Sequence, residues 1–263
     1  MGMTVKEMIG AILADMGVEL DKGTVDTVKA GNPDQEVTGV LTAFTATFEV
    51  IREAAEAGLN VIITHEPTYY NHHDRLEEWQ DDPVVREKRS LLEQYGLTVW
   101  RCHDALHCRK PDGIQEGMLD ALGWTGYKTG PGEREVELPP VPLEQLASEL
   151  KSALGLKHVR VTGRPGMLCR RIALELGAPG GERQLRHLRE EAVDTVICGE
   201  TAEWQVCEYA RDASAIGLDK AVIMLGHAGS EAEGMRYMAE RLRVLFPGLP
   251  VRYAAVADSF VCL

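Results

Sequence analysis

His227 and Glu231 stand four residues apart, where an apolar segment, Lys220–Leu225, gives way through Gly226 to a helical pattern. An imidazole and a carboxylate at that spacing are a donor pair suited to a catalytic divalent cation. Ser230 reads as the helix N-cap with Glu233 as its capping-box partner, which puts Glu231 in the first turn. A carboxylate there also complements the helix dipole, so Glu231 alone carries little weight. His227 has no such explanation, because it comes directly off a buried strand.

Three other strand ends carry similar chemistry. Asn60–Thr64 runs into His65-Glu66-Pro67, and Asp194–Cys198 runs into Gly199-Glu200. Leu97–Arg101 runs into Cys102-His103-Asp104, with His107 close behind. Ligands of open α/β sheets bind at the carboxyl ends of the strands. Histidines and carboxylates gathered on that edge point to a divalent metal held by His65, His227 and Glu231, with His107 converging on it. Such a metal lowers the pKa of bound water toward ~7, which suits hydrolysis. Glu200 or Asp104 would then act as general base or orient a ligand imidazole. Gly199 leaves room beside Glu200 for a ligand or water. Cys102 and Cys108 lack the short spacing of a structural zinc pair and read as small buried hydrophobes. His72-His73-Asp74 reads as a solvated loop at the rim of the site.

The elements that must position these residues alternate along the chain. Thr4 and Glu7 form a capping box ahead of a helix whose apolar face runs from Val5 to Met16. A strand near Val37–Thr45, a helix over Phe48–Ala57 closed by Gly58, and the strand Asn60–Thr64 make a βαβ unit. A helix over Pro83–Tyr95 leads to the strand Leu97–Cys102. Gly126–Pro142, rich in Gly, Pro and Glu, reads as a connector between lobes. A helix over Leu143–Leu154 precedes strands near His158–Thr162 and Arg171–Leu176, then the βα units of Asp194–Cys198 and Lys220–Leu225, and a closing strand at Val251–Val256. Near-continuous apolar strands alternating with helices predict an α/β fold of mainly parallel sheets covered by helices. The chain divides into an amino-terminal lobe, 1–125, and a carboxy-terminal lobe, 126–263.

Composition narrows the function. The 263 residues are 44% hydrophobic and 26% charged, ordinary for a globular chain. A net charge of −13 and only four Phe and four Trp argue against nucleic acid as a partner. No apolar run approaches the ~20 residues of a membrane span, and Met1–Met16 lacks the layout of a signal peptide. Six scattered Cys fit a reducing compartment, so a cytoplasmic protein is expected.

The segments "IITHEP", "CHDALH", "ICGE" and "GHAGSE", in this order across nearly the whole chain, resemble the NIF-three-like proteins, often named GTP cyclohydrolase I type 2 homologues. The chain is similar to the short form of that family, which lacks a domain inserted between the lobes. The resemblance implies a dinuclear metal centre of Zn, Mn or Fe, one or two ions per subunit, in a homo-hexamer acting on a small molecule. It makes His65, His227 and Glu231 metal ligands. The family's second strand usually ends His-His-Pro, and here Glu66 takes the second histidine's place. Its third strand usually ends His-Thr-Asn-Leu-Asp, and here His107 takes the aspartate's place. A compensating swap would keep three imidazoles and two carboxylates, with Glu66 and His107 as ligands. A further family histidine is Trp204. The expected activity is metal-dependent hydrolysis, the alternative a metal-binding scaffold without turnover. A metal-free nucleotide-binding module would leave the histidines unexplained.

Overall fold

The structure, a computed structural model, describes residues 2–129 and 134–261. In chain order its elements are α1 (Val5–Met16), β1 (Val28–Ala30), β2 (Val40–Ala43), α2 (Phe48–Glu56), β3 (Val61–Thr64), α3 (Pro83–Gln94), β4 (Thr98–Arg101), α4 (Asp104–Cys108) and α5 (Gly113–Ala121). They continue with β5 (Glu135–Pro142), α6 (Leu143–Ala153), β6 (Arg160–Thr162), β7 (Leu168–Glu175), α7 (Gly181–Arg189), β8 (Thr195–Cys198), α8 (Glu208–Ala215), β9 (Ala221–Met224), α9 (His227–Leu245) and β10 (Val251–Ala254). They fall into two compact units, residues 1–113 with 235–256, and residues 114–234 with 257–263.

The first unit holds a five-stranded sheet in the order β1-β4-β3-β2-β10, parallel except for the antiparallel edge β1. Every residue of β2, β3 and β4 is buried, as expected of parallel strands covered on both faces. Leu41, Ile62 and Val99 pack with Val50 and Ile51 of α2 to form one core cluster. The capping box is present: Thr4 Oγ1 accepts from Glu7 N–H while Glu7 accepts from Thr4 N–H. Gly58 takes the left-handed conformation just past α2, as its sequence position implies.

The second unit has the sheet order β5-β7-β8-β9-β6, with a parallel centre and antiparallel edges. Ala173, Val196 and Val222 of that centre pack against Leu188, Val206 and Ala210.

Two expectations change here. The connector proposed for Gly126–Pro142 contains β5, paired antiparallel to β7; residues 130–133 of it lie outside the described residues. Pro139 and Pro140 read as breakers, yet they fall within the register shift between Glu137 and Val141 on an edge strand. Such a position tolerates a missing N–H, and Val136 and Leu138 still point inward. The closing strand, assigned by sequence to the carboxy-terminal lobe, pairs with β2 of the first unit. Its register neighbours, Val40–Ala43, lie some two hundred residues away, and nothing local announces the pairing. The expected α/β fold of mainly parallel sheets stands, with antiparallel pairing confined to the edge strands β1, β5 and β6.

Candidate metal-binding residues

In the first unit, β3 hands the chain to His65, which is fully buried. The N–H groups of His65 and Glu66 both donate to the Phe44 carbonyl, fixing the turn off the strand. Arg101, at the end of the neighbouring β4, is also fully enclosed. Its Nε donates to the His65 carbonyl at 3.0 Å and Nη1 to the His72 carbonyl, while Nη2 lies 3.4 Å from Glu66 Oε2. Asp74 lies 3.9 Å from Arg101 Nη1 and 3.3 Å from Lys29 Nζ. Its other oxygen accepts from the N–H groups of Thr68 and Tyr69. His72 and His73 are exposed, as a solvated loop would have them, whereas Asp74 is turned inward as the anchor of the segment after His65.

Beyond β4 the chain turns at Cys102 and His103 into the short α4. Asp26 holds this turn: its carboxylate accepts from the N–H groups of His103, Asp104 and Ala105 at 2.8–2.9 Å. The turn stacks His103 on His65 with ring centroids 4.6 Å apart, and sets His107 5.1 Å from His65 and 4.9 Å from His103. One ligand atom from each of the three rings lies within 4.8 Å of the others. His103 Nδ1 is 2.9 Å from Asp104 Oδ1, and His107 Nδ1 is 3.1 Å from Asp112 Oδ2. A carboxylate on one ring nitrogen leaves the other as the donor to a metal and raises its basicity. Burial first, then the neighbouring His65 imidazole, bring the His103 pKa down to about 4 against the pull of Asp104. His103 is thus neutral near pH 7, the form that ligates.

Asp104 is occupied. Its second oxygen accepts from Thr24 Oγ1 at 2.8 Å and Val25 N–H at 3.1 Å. Against the cost of burial, hydrogen bonds from His103 and Thr24 hold its carboxyl below the usual range. That geometry fits the orienting role expected for it better than the role of base.

In the second unit, β7, β8 and β9 end side by side. Glu200 N–H donates to the Gly177 carbonyl and Gly226 N–H to the Gly199 carbonyl, so the strand ends remain laddered. His227 opens α9, with Nδ1 2.9 Å from Glu200 Oε1 and Nε2 3.1 Å from Glu231 Oε2. Glu231 is almost fully buried and Glu200 mostly exposed. Ser230 is not the N-cap expected of it. The helix begins a turn earlier, and the Ser230 hydroxyl accepts from Gly177 N–H while donating to the His227 carbonyl. Glu231 consequently lies in the second turn, one turn beyond His227 on the same face.

Two glycines shape this pocket. Gly177 has φ +69°, and a Cβ there would come 2.3 Å from Glu231 Oε1. A Cβ at Gly199 would meet the Gly177 carbonyl and Ser230 Oγ at 2.5 Å, so this glycine serves close packing rather than ligand approach.

Each unit brings its share of the predicted residues together: His65, Glu66, Asp104 and His107 in the first, Glu200, His227 and Glu231 in the second. Sequence reasoning gave no role to His103 and did not see Asp26, Arg101 or Asp112. Trp204, the departure from the family histidine, is exposed in a single π-helical turn, Glu203–Cys207. Among the described residues, no helix is long and apolar enough to cross a membrane.

Imidazole and carboxylate groups at neighbouring strand ends, three of the imidazoles with ligand atoms within 4.8 Å of one another, make this an α/β protein with side chains that could hold a metal ion. The chain belongs to the Duf34/NIF3 (NGG1p interacting factor 3) family, whose model matches residues 3–258. It is 25% identical over 255 residues to a GTP cyclohydrolase 1 type 2 homolog of Clostridium acetobutylicum, covering 92% of this chain and 90% of the relative. A homolog of the same name from Clostridium perfringens is 24% identical over 253 residues, covering 92% of each. Among solved structures, a Staphylococcus aureus hypothetical protein superposes with a TM-score of 0.80 at 18% identity over the whole of both chains. A Bacillus cereus protein related to NIF3 superposes at 0.78 and 16% identity over 99% of each.

Proposed function

We propose that this chain is a divalent-metal protein and a metal-dependent hydrolase, with His65, Glu66 and His107 of the first unit and His227 and Glu231 of the second as ligands. The observation that supports it is the histidine cluster of the first unit: three imidazoles within ligating distance of one another, two of them fixed from behind by Asp104 and Asp112. Neutral imidazoles with carboxylates suit Zn, Mn or Fe. The missing side chain at Gly177 leaves the space that the Glu231 carboxylate fills beside His227.

Bound there, the metal would supply an acidified water as nucleophile and a Lewis acid for the substrate. The residues do the rest. Glu200 holds the proton on His227 Nδ1, so that Nε2 is the donor, and Asp112 does the same for His107. Glu200, the most exposed carboxylate of the set, is placed to take a proton from an incoming nucleophile. The name shared by the curated relatives makes GTP the first substrate to assay.

Protein purified without chelator should carry one or two equivalents of Zn, Mn or Fe by elemental analysis, and a hydrolase screen should show turnover lost on chelation. Well under one equivalent after reconstitution would sink the metal reading. Full metal with no chelator-sensitive turnover would leave a metal-binding scaffold instead. We further propose a homo-hexamer; light scattering should give six times the 29.0 kDa subunit, and a monomer at micromolar concentration would rule it out.

A further inference from the structure

β7 ends on Glu175, whose side chain is completely enclosed in the second unit. Its Oε2 lies 2.8 Å from Arg183 Nε and 3.9 Å from Arg134 Nη1, and its Oε1 lies 2.9 Å from His187 Nε2. The His187 hydrogen bond and the two guanidinium groups together hold the Glu175 carboxyl below its ordinary value against the cost of burial. The hydrogen bond to Glu175 raises the His187 pKa against burial, with Glu190 and Glu135 adding to it, so Nε2 carries the proton that Glu175 accepts and Nδ1 is the nitrogen from which a metal would displace a proton.

That second nitrogen has an unusual setting. It is shielded from solvent and makes no hydrogen bond. Glu135 Oε1 of β5 lies 3.7 Å from it and Glu190 Oε1, just past α7, 3.8 Å. These gaps are too long for hydrogen bonds. They are close to the separation of neighbouring donors around one zinc ion, each roughly 2.0–2.2 Å from the metal. One ligand atom from each of the three residues lies within 4.8 Å of the others. The histidine backed by a buried carboxylate sets this cluster apart from an ordinary group of surface acids.

The geometry points to a further divalent-metal site formed by Glu135, His187 and Glu190, with zinc the best-suited ion and water completing its shell. It shares no residue with the ligands proposed above. Glu175 orients the imidazole from behind, as in a carboxylate–histidine–zinc arrangement. Zinc binding releases any proton held on Nδ1 and leaves a neutral imidazole between two carboxylates. His187 comes from the last turn of α7 and Glu135 from the edge strand that sequence reasoning passed over as a connector.

The test uses the full chain, stripped with chelator and dialysed to equilibrium against micromolar free Zn near neutral pH. Glu190→Gln changes a half-exposed carboxylate at a helix end and leaves the fold intact; His187→Gln removes the imidazole. Each variant should bind one equivalent fewer than the parent, and the same difference should persist in a Glu231→Ala background, where the His227 group is disabled. Ring-nitrogen NMR of the parent should show the His187 Nδ1 resonance moving on zinc addition. Equal zinc counts in parent and Glu190→Gln, or His187 ring nitrogens that keep an imidazolium signature through the titration, would overturn the site and leave a protonated ion pair in its place.

Discussion

Glu231→Ala is expected to lose the metal bound by the His227 group, whereas Glu200→Ala should keep it with affinity lower by about 10–100-fold, the usual range for a residue that supports a ligand from behind. Glu231 is buried, one turn beyond His227 on the same helix face, with Oε2 3.1 Å from His227 Nε2. Its removal deletes a donor oxygen. Glu200 approaches the opposite nitrogen, Nδ1, from the next strand end and is largely exposed. Losing it frees the imidazole to change tautomer and tilt, but the Nε2 donor survives. A third variant separates donor loss from packing. Gly177→Ala would set a methyl group 2.3 Å from Glu231 Oε1 at a φ of +69°, so the carboxylate must move. It should therefore weaken the metal while every donor is retained. Equilibrium dialysis on the three variants decides the matter. Should Glu200→Ala lose metal as completely as Glu231→Ala, Glu200 is itself a ligand and the roles assigned to the two acids are reversed or shared.

Reading these residues from sequence succeeded where the signal was local and failed where it came from far along the chain. The βαβ rhythm and the glycine and histidine punctuation of β3, β8 and β9 lie within short windows, so the strand ends and their donors were legible. Ser230 was read as a cap because a hydroxyl before two glutamates is a good local reason for one. In the structure that hydroxyl is engaged by Gly177 N–H, 53 residues upstream, and the helix starts a turn earlier. His103 had no assignable role because its orientation depends on Asp26, 77 residues before it, holding the first amides of α4. Asp74 looked like a solvated loop residue beside two histidines. Its burial follows from Lys29 and Arg101, each on a different strand. Pro139 and Pro140 argued against a strand by a sound rule, and an edge position with a register shift is where that rule gives way.

Arg101→Met should be the most destabilising change in the first unit outside its apolar core, costing on the order of 3–5 kcal/mol, the range for breaking a buried charge pair by removing one partner. The guanidinium is wholly enclosed and serves three acceptors at once, the carbonyls of His65 and His72 and the carboxylate of Glu66, with the Asp74 carboxylate 3.9 Å away as a further ionic partner. Replacing it with an apolar chain of similar length fills the space but strands those acceptors away from water. Arg101→Lys should recover only a fraction, because a single ammonium cannot reproduce the planar fork that reaches all three. Lys29 remains 3.3 Å from Asp74 and will blunt part of the loss. A double variant isolates the electrostatic share. Asp74→Asn keeps a side chain that tolerates the φ of +55° found there and still accepts from Thr68 and Tyr69, while removing the charge. Combined with Arg101→Met it should be more stable than Arg101→Met alone, a coupling that a purely steric role for Arg101 would not produce. Denaturant midpoints of the parent, the two single variants and the double variant measure it. Because Arg101 also clamps the segment carrying His65 and Glu66, metal affinity should fall in parallel with stability. An Arg101→Met protein within about 0.5 kcal/mol of the parent, the scale of an ordinary surface substitution, would show that the clamp holds nothing.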